Sequence, residues 1–323
     1  MAGLRRRRLV GLVFVGLALA IAGATVVVIA VSRRGGDSPT AGETPSAAGS
    51  LPPPASAPGD EAPAGTTIDP SRANCASRPS ACGLPDATNT GVPAGTSLTV
   101  VNGNLDVTQA GAVIDGKDIR GCVNVKAPGV TIRRSKITCT DFYVVASFAD
   151  SYSGGGLVIE DSELDCRNTN GTAMGSYGVT ARRLNIHNCE NGFDIDNTMT
   201  VQDSYVHDLY EGATGHADGI QLAGGAHITI THNTIFIPSG TSAIISNPTA
   251  NSDVLVANNL MAGGAYTLYC PSDTSQNFRV IGNRFSTLFS AKGGEFGPWT
   301  DCEKVAEARG NVWDDTLQPV QAS

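Results

Sequence analysis

The histidines of this 323-residue chain are concentrated between residues 187 and 232, where several aspartates also lie, and both residue types suit acid–base chemistry. Asp194, Asp196 and Asp218 are close in sequence, and His216 stands beside Asp218. Carboxylates held a few ångströms apart cannot all ionise cheaply, so one takes a raised pKa as a general acid while a neighbour stays a base. Those two roles are the machinery of glycoside hydrolysis. The same oxygens also suit Ca²⁺, with a base removing the proton next to a uronate carboxylate, which is a lyase reaction.

Short strands position these aspartates. In GFDI (192–195) and DGIQ (218–221) the apolar residues predict an inward face, so Asp194 and Gln221 point outward on the same sheet. His216 stands at the turn that enters the second strand. We expect one site on adjacent coils, with the carboxylates and the histidine in catalysis and the glutamine on the substrate: Asp194, Asp196, His216, Asp218 and Gln221.

A second cluster comes from Asp165, His187 and His207, which occupy the same position in three successive copies of a sequence repeat. Two imidazoles and one carboxylate suit a metal site or an acid–base pair. We predict His187 and His207 among the substrate-binding residues. The alternative is a ladder of surface side chains that face one another across ~4.8 Å.

The repeat itself predicts the fold. From residue 130 the pattern apolar-x-apolar-x-x-[Ser/Asn]-x-apolar starts at residues 130, 157, 179, 199, 228, 254, 278 and, degraded, 306. Its alternation is the period of a strand with one buried face. A step of roughly 25 residues holds three short strands and their turns, which is one coil of a parallel β-helix. Because parallel crossovers are nearly always right-handed, the sequence predicts an all-β, right-handed, single-stranded parallel β-helix of about 8–9 coils.

Stacking the repeats predicts three columns of side chains. The eighth position is always apolar and should form the core. The fourth and fifth positions begin with alternating arginines and acids, which predicts salt-bridge ladders on the surface. The sixth position predicts a polar ladder at a turn, and its members are Ser135, Ser162, Leu184, Ser204, Asn233, Asn259 and Asn283.

On these repeats the chain resembles the right-handed parallel β-helix superfamily, the pectate-lyase-like fold, over roughly residues 98–315. The resemblance implies an extracellular bacterial protein of a kind that includes polysaccharide lyases, glycosidases and epimerases. HADGIQ (216–221) is also similar to the Asn-Thr-Asp-Gly-[Ile/Val]-Asp motif of polygalacturonase-type glycosidases, which implies a catalytic role for Asp218. His216 stands where that motif has Asn, and Gln221 stands where it has Asp. The alternative is an ordinary Asp-Gly turn before a strand.

Residues 1–34 are predicted to be a basic flank followed by a membrane-spanning signal-anchor helix at about residues 9–32. At 1.5 Å per residue, 24 residues span roughly 36 Å, which is enough to cross the hydrocarbon core. Four arginines precede the apolar run and two follow it, which predicts a cytoplasmic N-terminus and an outward-facing C-terminal part. The alternative is a signal peptide cleaved after Ala22-Gly23-Ala24, which would release a secreted protein.

Residues 35–74 are rich in Pro, Ala, Gly, Ser and Thr, a composition typical of a disordered linker. Residues 75–323 are the predicted β-helix domain, with an N-terminal cap at residues 75–99. All eight cysteines lie in this domain, and an even number in an oxidising compartment predicts up to four disulfides. Column positions and spacing favour Cys75–Cys82, Cys139–Cys166 and Cys270–Cys302, with Cys189 competing for the second pair.

The charge of the chain argues against nucleic acid as a partner. The chain has 22 basic and 30 acidic residues, and six of the basic ones lie in residues 1–34. Binding to nucleic acid needs a basic footprint, which the rest of the chain lacks. We therefore predict a monomeric, membrane-anchored extracellular enzyme acting on a polysaccharide, either a lyase or a glycoside hydrolase. The alternative is a non-catalytic surface module that binds a glycan or a partner.

Overall fold

The repeats form parallel ladders of short strands, numbered here in chain order from β1 to β26. The structure, a computed structural model, describes residues 68–147, 155–176, 178–212, 215–271 and 275–321. The predicted membrane segment, residues 9–32, and most of the predicted linker, residues 35–74, lie outside these ranges. Within the described ranges, no helix has the length and apolar character needed to cross a membrane.

Three ladders run through the fold, and every pairing within them is parallel. Ladder I contains β3 (Val113–Asp115), β6 (Thr131–Arg133), β9 (Leu157–Glu160), β11 (Val179–Arg182), β13 (Met199–Gln202), β16 (Gly225–Thr231), β19 (Asn251–Ala257), β22 (Gln276–Ile281) and β25 (Glu307–Arg309). Ladder II contains β1 (Thr99–Asn102), β4 (Lys117–Arg120), β7 (Lys136–Thr138), β10 (Glu163–Ser176), β12 (Asn185–Ile195), β14 (Tyr205–Val206), β17 (Thr234–Ile237), β20 (Leu260–Gly263), β23 (Arg284–Ser286) and β26 (Val312–Trp313). Ladder III contains β2 (Leu105–Val107), β5 (Val123–Val125), β8 (Tyr143–Ser147), the second halves of β10 and β12, β15 (Asp218–Leu222), β18 (Ser242–Ser246), β21 (Tyr266–Tyr269) and β24 (Gly297–Thr300). Short 3₁₀ helices lie at Cys75–Ser77, Pro79–Cys82 and Cys302–Lys304.

The chain visits ladders I, II and III in turn, so each strand pairs with the corresponding strand one circuit later. We call each circuit a coil and number it from its ladder I strand, so coil 1 begins at β3 and coil 9 at β25. The fold is therefore all-β with parallel sheets, which is consistent with the β-helix-like fold that the repeat predicts.

The apolar eighth column of the repeat is buried as predicted. From coil 2 to coil 8 its side chains have no solvent exposure, and they form part of one continuous core along ladder II. Each such side chain contributes roughly 1.5–3 kcal/mol by leaving water, so the stacked column supplies much of the stability. Its members are Ile137, Leu164, Ile186, Val206, Ile235, Met261 and Phe285.

The polar sixth column lies at the turn between ladders I and II, as predicted, and it is buried. In the later coils it consists of Asn233, Asn259, Asn283 and Asn311, each at most 4 % exposed. The side-chain Nδ2 of Asn259 donates to the carbonyl of Ile230 at 2.9 Å and to Asn283 Oδ1 at 3.0 Å. Its own Oδ1 accepts hydrogen bonds from the backbone and side chain of Asn233. Because these amides satisfy one another, their burial costs little.

The fifth column sits on the same turn in left-handed backbone conformation. The φ values of its non-glycine members run from 47° at Arg134 to 56° at Asn258. The predicted salt-bridge ladder is present, with Arg183 bonded to Asp161 at 2.6 Å and His232 to Asp203 at 2.6 Å. Such half-buried surface pairs are each worth on the order of 1 kcal/mol, so they help to fix the register more than they add to the stability.

The predicted cap, residues 75–99, runs along the outer side of ladder II. Asp314, in coil 9, accepts a hydrogen bond from Ala76 N at 2.9 Å and pairs with the buried Arg284 at 3.2 Å. Further along the segment, Gly91 N donates to the carbonyl of Arg183, in coil 4, at 2.9 Å. The segment thus covers a small apolar cluster on the outer side of this ladder, formed by Cys75, Ala76, Cys82, Leu84, Phe236, Leu260 and Ala262.

Four disulfides are present, and one of the three predicted pairs is wrong. Cys75–Cys82 and Cys270–Cys302 are formed as predicted. Cys139 pairs with Cys122 and Cys166 pairs with Cys189, instead of with each other. Residues in one column of neighbouring parallel strands project side by side, whereas a disulfide needs Cβ atoms that converge. A partner displaced by one position around the corner meets that need, and the Cα atoms lie 5.0 and 4.7 Å apart in the two pairs.

Candidate functional site

Two columns of side chains on ladder III flank its core-facing positions, and together we call them the outer strip. The core-facing positions include Phe193 and Ile220, which are fully buried as predicted. From coil 2 to coil 7 the first column consists of Tyr143, Thr172, Asn191, Asp218, Ser242 and Tyr266, and the second of Ala146, Gly175, Asp194, Gln221, Ile245 and Tyr269. The strip therefore places Asp194, Asp218 and Gln221 on neighbouring coils.

Asp218 lies in the middle of the strip and is only 1 % exposed. Its Oδ1 accepts a hydrogen bond from Ser242 Oγ at 2.5 Å, and its Oδ2 accepts one from Gln221 Nε2 at 2.8 Å. Burial disfavours the charged form and raises the pKa of Asp218 to about 6, although both hydrogen bonds act in the opposite direction. A carboxyl with this pKa still carries a proton in mildly acidic solution and can donate it.

Asp194 stands in register with Gln221 and with Gly175 on either side. Its Oδ2 accepts a hydrogen bond from the hydroxyl of Tyr143, at 3.0 Å, although Tyr143 belongs to a strand two coils away. The tyrosine reaches that far because its ring lies over Gly175, where a Cβ would overlap the ring. Burial and the Asp194 carboxylate raise the pKa of Tyr143 well above its ordinary value, so the tyrosine remains a hydrogen-bond donor.

Asp196 and His216 lie at the margins of the strip. Asp196 is exposed two positions beyond Asp194, and its charge acts on the Tyr143 hydroxyl. His216 is exposed just before β15, where its backbone N–H donates to Glu190 Oε1 at 3.2 Å. The His216 ring Nδ1 is 3.2 Å from Thr241 Oγ1. The structure therefore joins Asp194, Gln221 and Asp218 along the strip and leaves the other two predicted residues beside it.

The predicted Ca²⁺ site does not fit this geometry. Asp194, Asp196 and Asp218 are not among the side-chain groups whose ligand atoms converge within 4.8 Å in the described part of the chain. The one such group there is Cys122, Cys139 and Asp141, and its two cysteines are joined in a disulfide. The carboxylates of the strip are thus spread along it and do not form an oxygen cage.

The second predicted cluster forms a hydrogen-bonded surface ladder on ladder II. His187 Nε2 is 3.1 Å from Glu163 Oε1, which also pairs with Lys136, and these contacts lower the pKa of Glu163 to about 2. The ring nitrogens of His207 lie 2.7 Å from Asn185 and from Asp208.

The two histidine rings of this ladder have centroids 5.5 Å apart. Burial lowers the pKa of His207 and favours its neutral form. Asp165 accepts a hydrogen bond from Asn188 at 2.9 Å. These side chains contact one another on ladder II, whereas the outer strip lies on ladder III.

Sequence reasoning missed two further features near the strip. Tyr143 and Glu190 contact predicted site residues, and the only signal for the tyrosine was a glycine, Gly175, at an outward position of the column.

A polar cavity of about 890 Å³ also lies at the corner of ladders II and III. Its wall carries Asp165 from the second cluster together with Lys136 and Arg167. The mixed charges of that cavity contrast with the outer strip, where the ionisable groups are mainly acids.

Replacing Gly175 by alanine should detach Tyr143 from Asp194. Gly175 has no left-handed φ, so alanine fits the backbone, but its Cβ would occupy the space of the tyrosine ring. We expect a destabilisation of about 1–3 kcal/mol and a fall in the pKa of Tyr143 towards that of a free tyrosine. Alkaline titration of the tyrosinate absorbance measures this, with Tyr143→Phe to identify the signal.

Gly155→Ala is the matched control, because a Cβ there would make only ordinary contacts at 3.7 Å. A titration curve of Gly175→Ala that matches both the control and the native chain would contradict the contact between Tyr143 and Asp194.

Comparisons with known proteins identify no relative of this chain. No protein-family model matches it, and neither a curated protein nor a solved structure does.

Proposed function

We propose that this chain is a polysaccharide-active enzyme, specifically a glycoside hydrolase, on a right-handed parallel β-helix. In this proposal residues 9–32 anchor it in a membrane, and the β-helix faces the outside. The observation that carries the proposal is Asp218, a buried carboxyl whose pKa is raised to about 6 at the centre of the outer strip. Hydrolysis of a glycosidic bond requires one carboxyl that can donate a proton and a second carboxylate within reach of the same sugar. Asp194, one coil away from Asp218, is the second carboxylate in this proposal.

In the proposed reaction Asp218 gives its proton to the glycosidic oxygen as the bond to the anomeric carbon breaks. Asp194 takes a proton from a water molecule that attacks the same carbon, so one water is consumed for each bond cleaved. Asp194 is in register with Gln221, three residues beyond Asp218. The backbones of Asp194 and Asp218 are thus offset by one strand spacing of ~4.8 Å and by roughly 10 Å along the strand. Inversion at the anomeric carbon needs roughly 6.5–9.5 Å between the two carboxyl groups, so in this proposal the side chains of Asp194 and Asp218 extend towards each other across that offset.

Gln221 controls access to the acid in this proposal. Its Nε2 covers Asp218 Oδ2 at 2.8 Å, and the glutamine side chain is itself half-buried. When a sugar hydroxyl takes the place of the carboxyl as partner for Gln221, the Asp218 proton becomes available to the substrate. The glutamine thus keeps the role in substrate binding that the sequence predicted, and it adds a gate.

The test is a screen of the full chain against a panel of polysaccharides with two readouts. Reducing ends report any cleavage, while ultraviolet absorbance of an unsaturated sugar reports β-elimination only. The proposal predicts reducing ends without the absorbance. A rise in both signals would make the protein a lyase and would overturn the hydrolase assignment.

A non-catalytic glycan-binding module is the second candidate, and one observation favours it. Asp218 is almost completely buried and both of its oxygens already have hydrogen-bond donors, an arrangement that also suits a structural carboxyl. Retention of a glycan by the full chain with neither readout rising would establish this function in place of hydrolysis.

A further inference from the structure

We infer that the outer strip takes a glycan without carboxylate groups, laid across the coils with sugar rings packed on aromatic side chains at its C-terminal end. This inference rests on the proposed function, because it names the substrate class of the same strip. Two independent observations carry it: the sign of the charge along the strip and the aromatic cluster at one end.

The ionisable groups on and beside the strip are mostly acids. The charges that act on Asp218 come from His216 and Glu190, and those that act on Tyr143 come from Asp194 and Asp196. Among the described residues, no lysine or arginine forms an ion pair with Asp194, Asp218 or Glu190.

A polyuronate would bring one carboxylate per sugar into this row of acids. The carboxylates of the polymer and the acids of the strip carry like charges and repel one another. Because the strip is partly buried, solvent screens this repulsion less than it would on an open surface. A sugar that offers only hydroxyl groups avoids this cost and can still donate hydrogen bonds to the carboxylates.

The aromatic cluster lies where the strip ends, at coils 7 and 8. The rings of Tyr266 and Tyr269 meet edge to face with centroids 5.4 Å apart, and Phe296 lies 5.8 Å from Tyr266. Phe296 is 58 % exposed, which is unusual for so large an apolar side chain. The C–H face of a pyranose ring covers such an exposed ring and leaves the sugar hydroxyls free for polar neighbours.

The spacing of these residues places the acid inside the binding strip. Tyr143 belongs to coil 2, Asp218 to coil 5 and Tyr266 to coil 7. At ~4.8 Å per coil, the strip is roughly 24 Å long, with the acid about 14 Å from one tyrosine and 10 Å from the other. A linear glycan therefore extends on both sides of Asp218, and cleavage falls at internal bonds of the chain.

Binding measurements separate the effect of charge from that of sugar identity. The probes are polygalacturonate, its fully methyl-esterified form, a xylan and a β-glucan, each titrated against the full chain carrying Asp218→Asn so that no cleavage intervenes. We expect at least one uncharged polymer to bind at least tenfold more tightly than polygalacturonate. Phe296→Ala should weaken that binding at least fivefold, whereas Val113→Ala, an exposed apolar residue on ladder I, should not change it.

Tighter binding of polygalacturonate than of its ester, binding unaffected by Phe296→Ala, or no binding to any uncharged probe would overturn this inference. The proposed hydrolysis is judged separately by reducing ends from the native chain. Binding of an uncharged glycan without cleavage would support the inferred substrate class and reject the proposed hydrolase activity. Cleavage confined to polygalacturonate would support the hydrolase activity and reject the inferred substrate class.

Discussion

Asp218→Asn is expected to lower the rate of glycan cleavage by roughly 10²–10⁴-fold, the usual contribution of a general acid. Asparagine matches aspartate in size and can keep hydrogen bonds to Ser242 and Gln221, but it has no proton to give to a leaving group. The loss should appear in kcat, because the substrate still contacts the same strip. Release of reducing ends by the full chain measures this effect.

Two controls belong with this variant. Asp253→Asn changes another aspartate, which pairs with His227 on ladder I, and it should leave cleavage unchanged. The urea midpoint of Asp218→Asn should stay at or above that of the native chain, because the variant no longer buries an ionisable group. A folded Asp218→Asn chain that cleaves glycan at the native rate would exclude this residue as the acid.

Asn259→Leu is expected to destabilise the fold by about 3–5 kcal/mol, a large part of the total stability of a typical domain. The substitution removes four side-chain hydrogen bonds at a position with no solvent exposure. It leaves the Asn233 backbone N–H and the Ile230 carbonyl buried without those partners. Each such group costs about 1–3 kcal/mol, and the urea midpoint of the full chain reports the sum.

The neighbouring residue Asn258 offers a matched control. It is exposed and left-handed, with φ at 56°, so Asn258→Gly should change stability by no more than about 0.5 kcal/mol. Asn259→Ser should fall between the two, because serine at this column accepts the backbone N–H of the previous coil, as Ser204 does from Leu184. Equal midpoints for Asn259→Leu and Asn258→Gly would contradict the buried ladder.

The sequence predicts the repeating part of this fold well because the interactions that set it recur at each coil. Once one strand is aligned with the next, the core column through Ile137 and the ladder through Asn259 follow from the register alone. The outward positions of Asp194 and Gln221 follow in the same way. All of these positions depend on side-chain alternation, which is visible in any single repeat.

Features that depend on the turns between ladders, or on contacts between distant parts of the chain, could not be predicted from the repeat. Column matching pairs Cys139 with Cys166, since it ignores how the chain turns between ladders. The contact of Tyr143 with Asp194 crosses two coils and depends on a missing side chain at Gly175. The hydrogen bond from Ala76 to Asp314 joins residues 238 positions apart, so no local sequence pattern can predict it.

The pH dependence of kcat/KM for the full chain tests most directly whether cleavage depends on the buried proton of Asp218. Since the protonated carboxyl is the active form, kcat/KM should fall as the pH rises through about 6. The hydrogen bond from Ser242 lowers the pKa of Asp218, so Ser242→Ala should move this falling limb to higher pH. A kcat/KM that stays level between about pH 5 and 8, or a limb that Ser242→Ala leaves in place, would contradict the account.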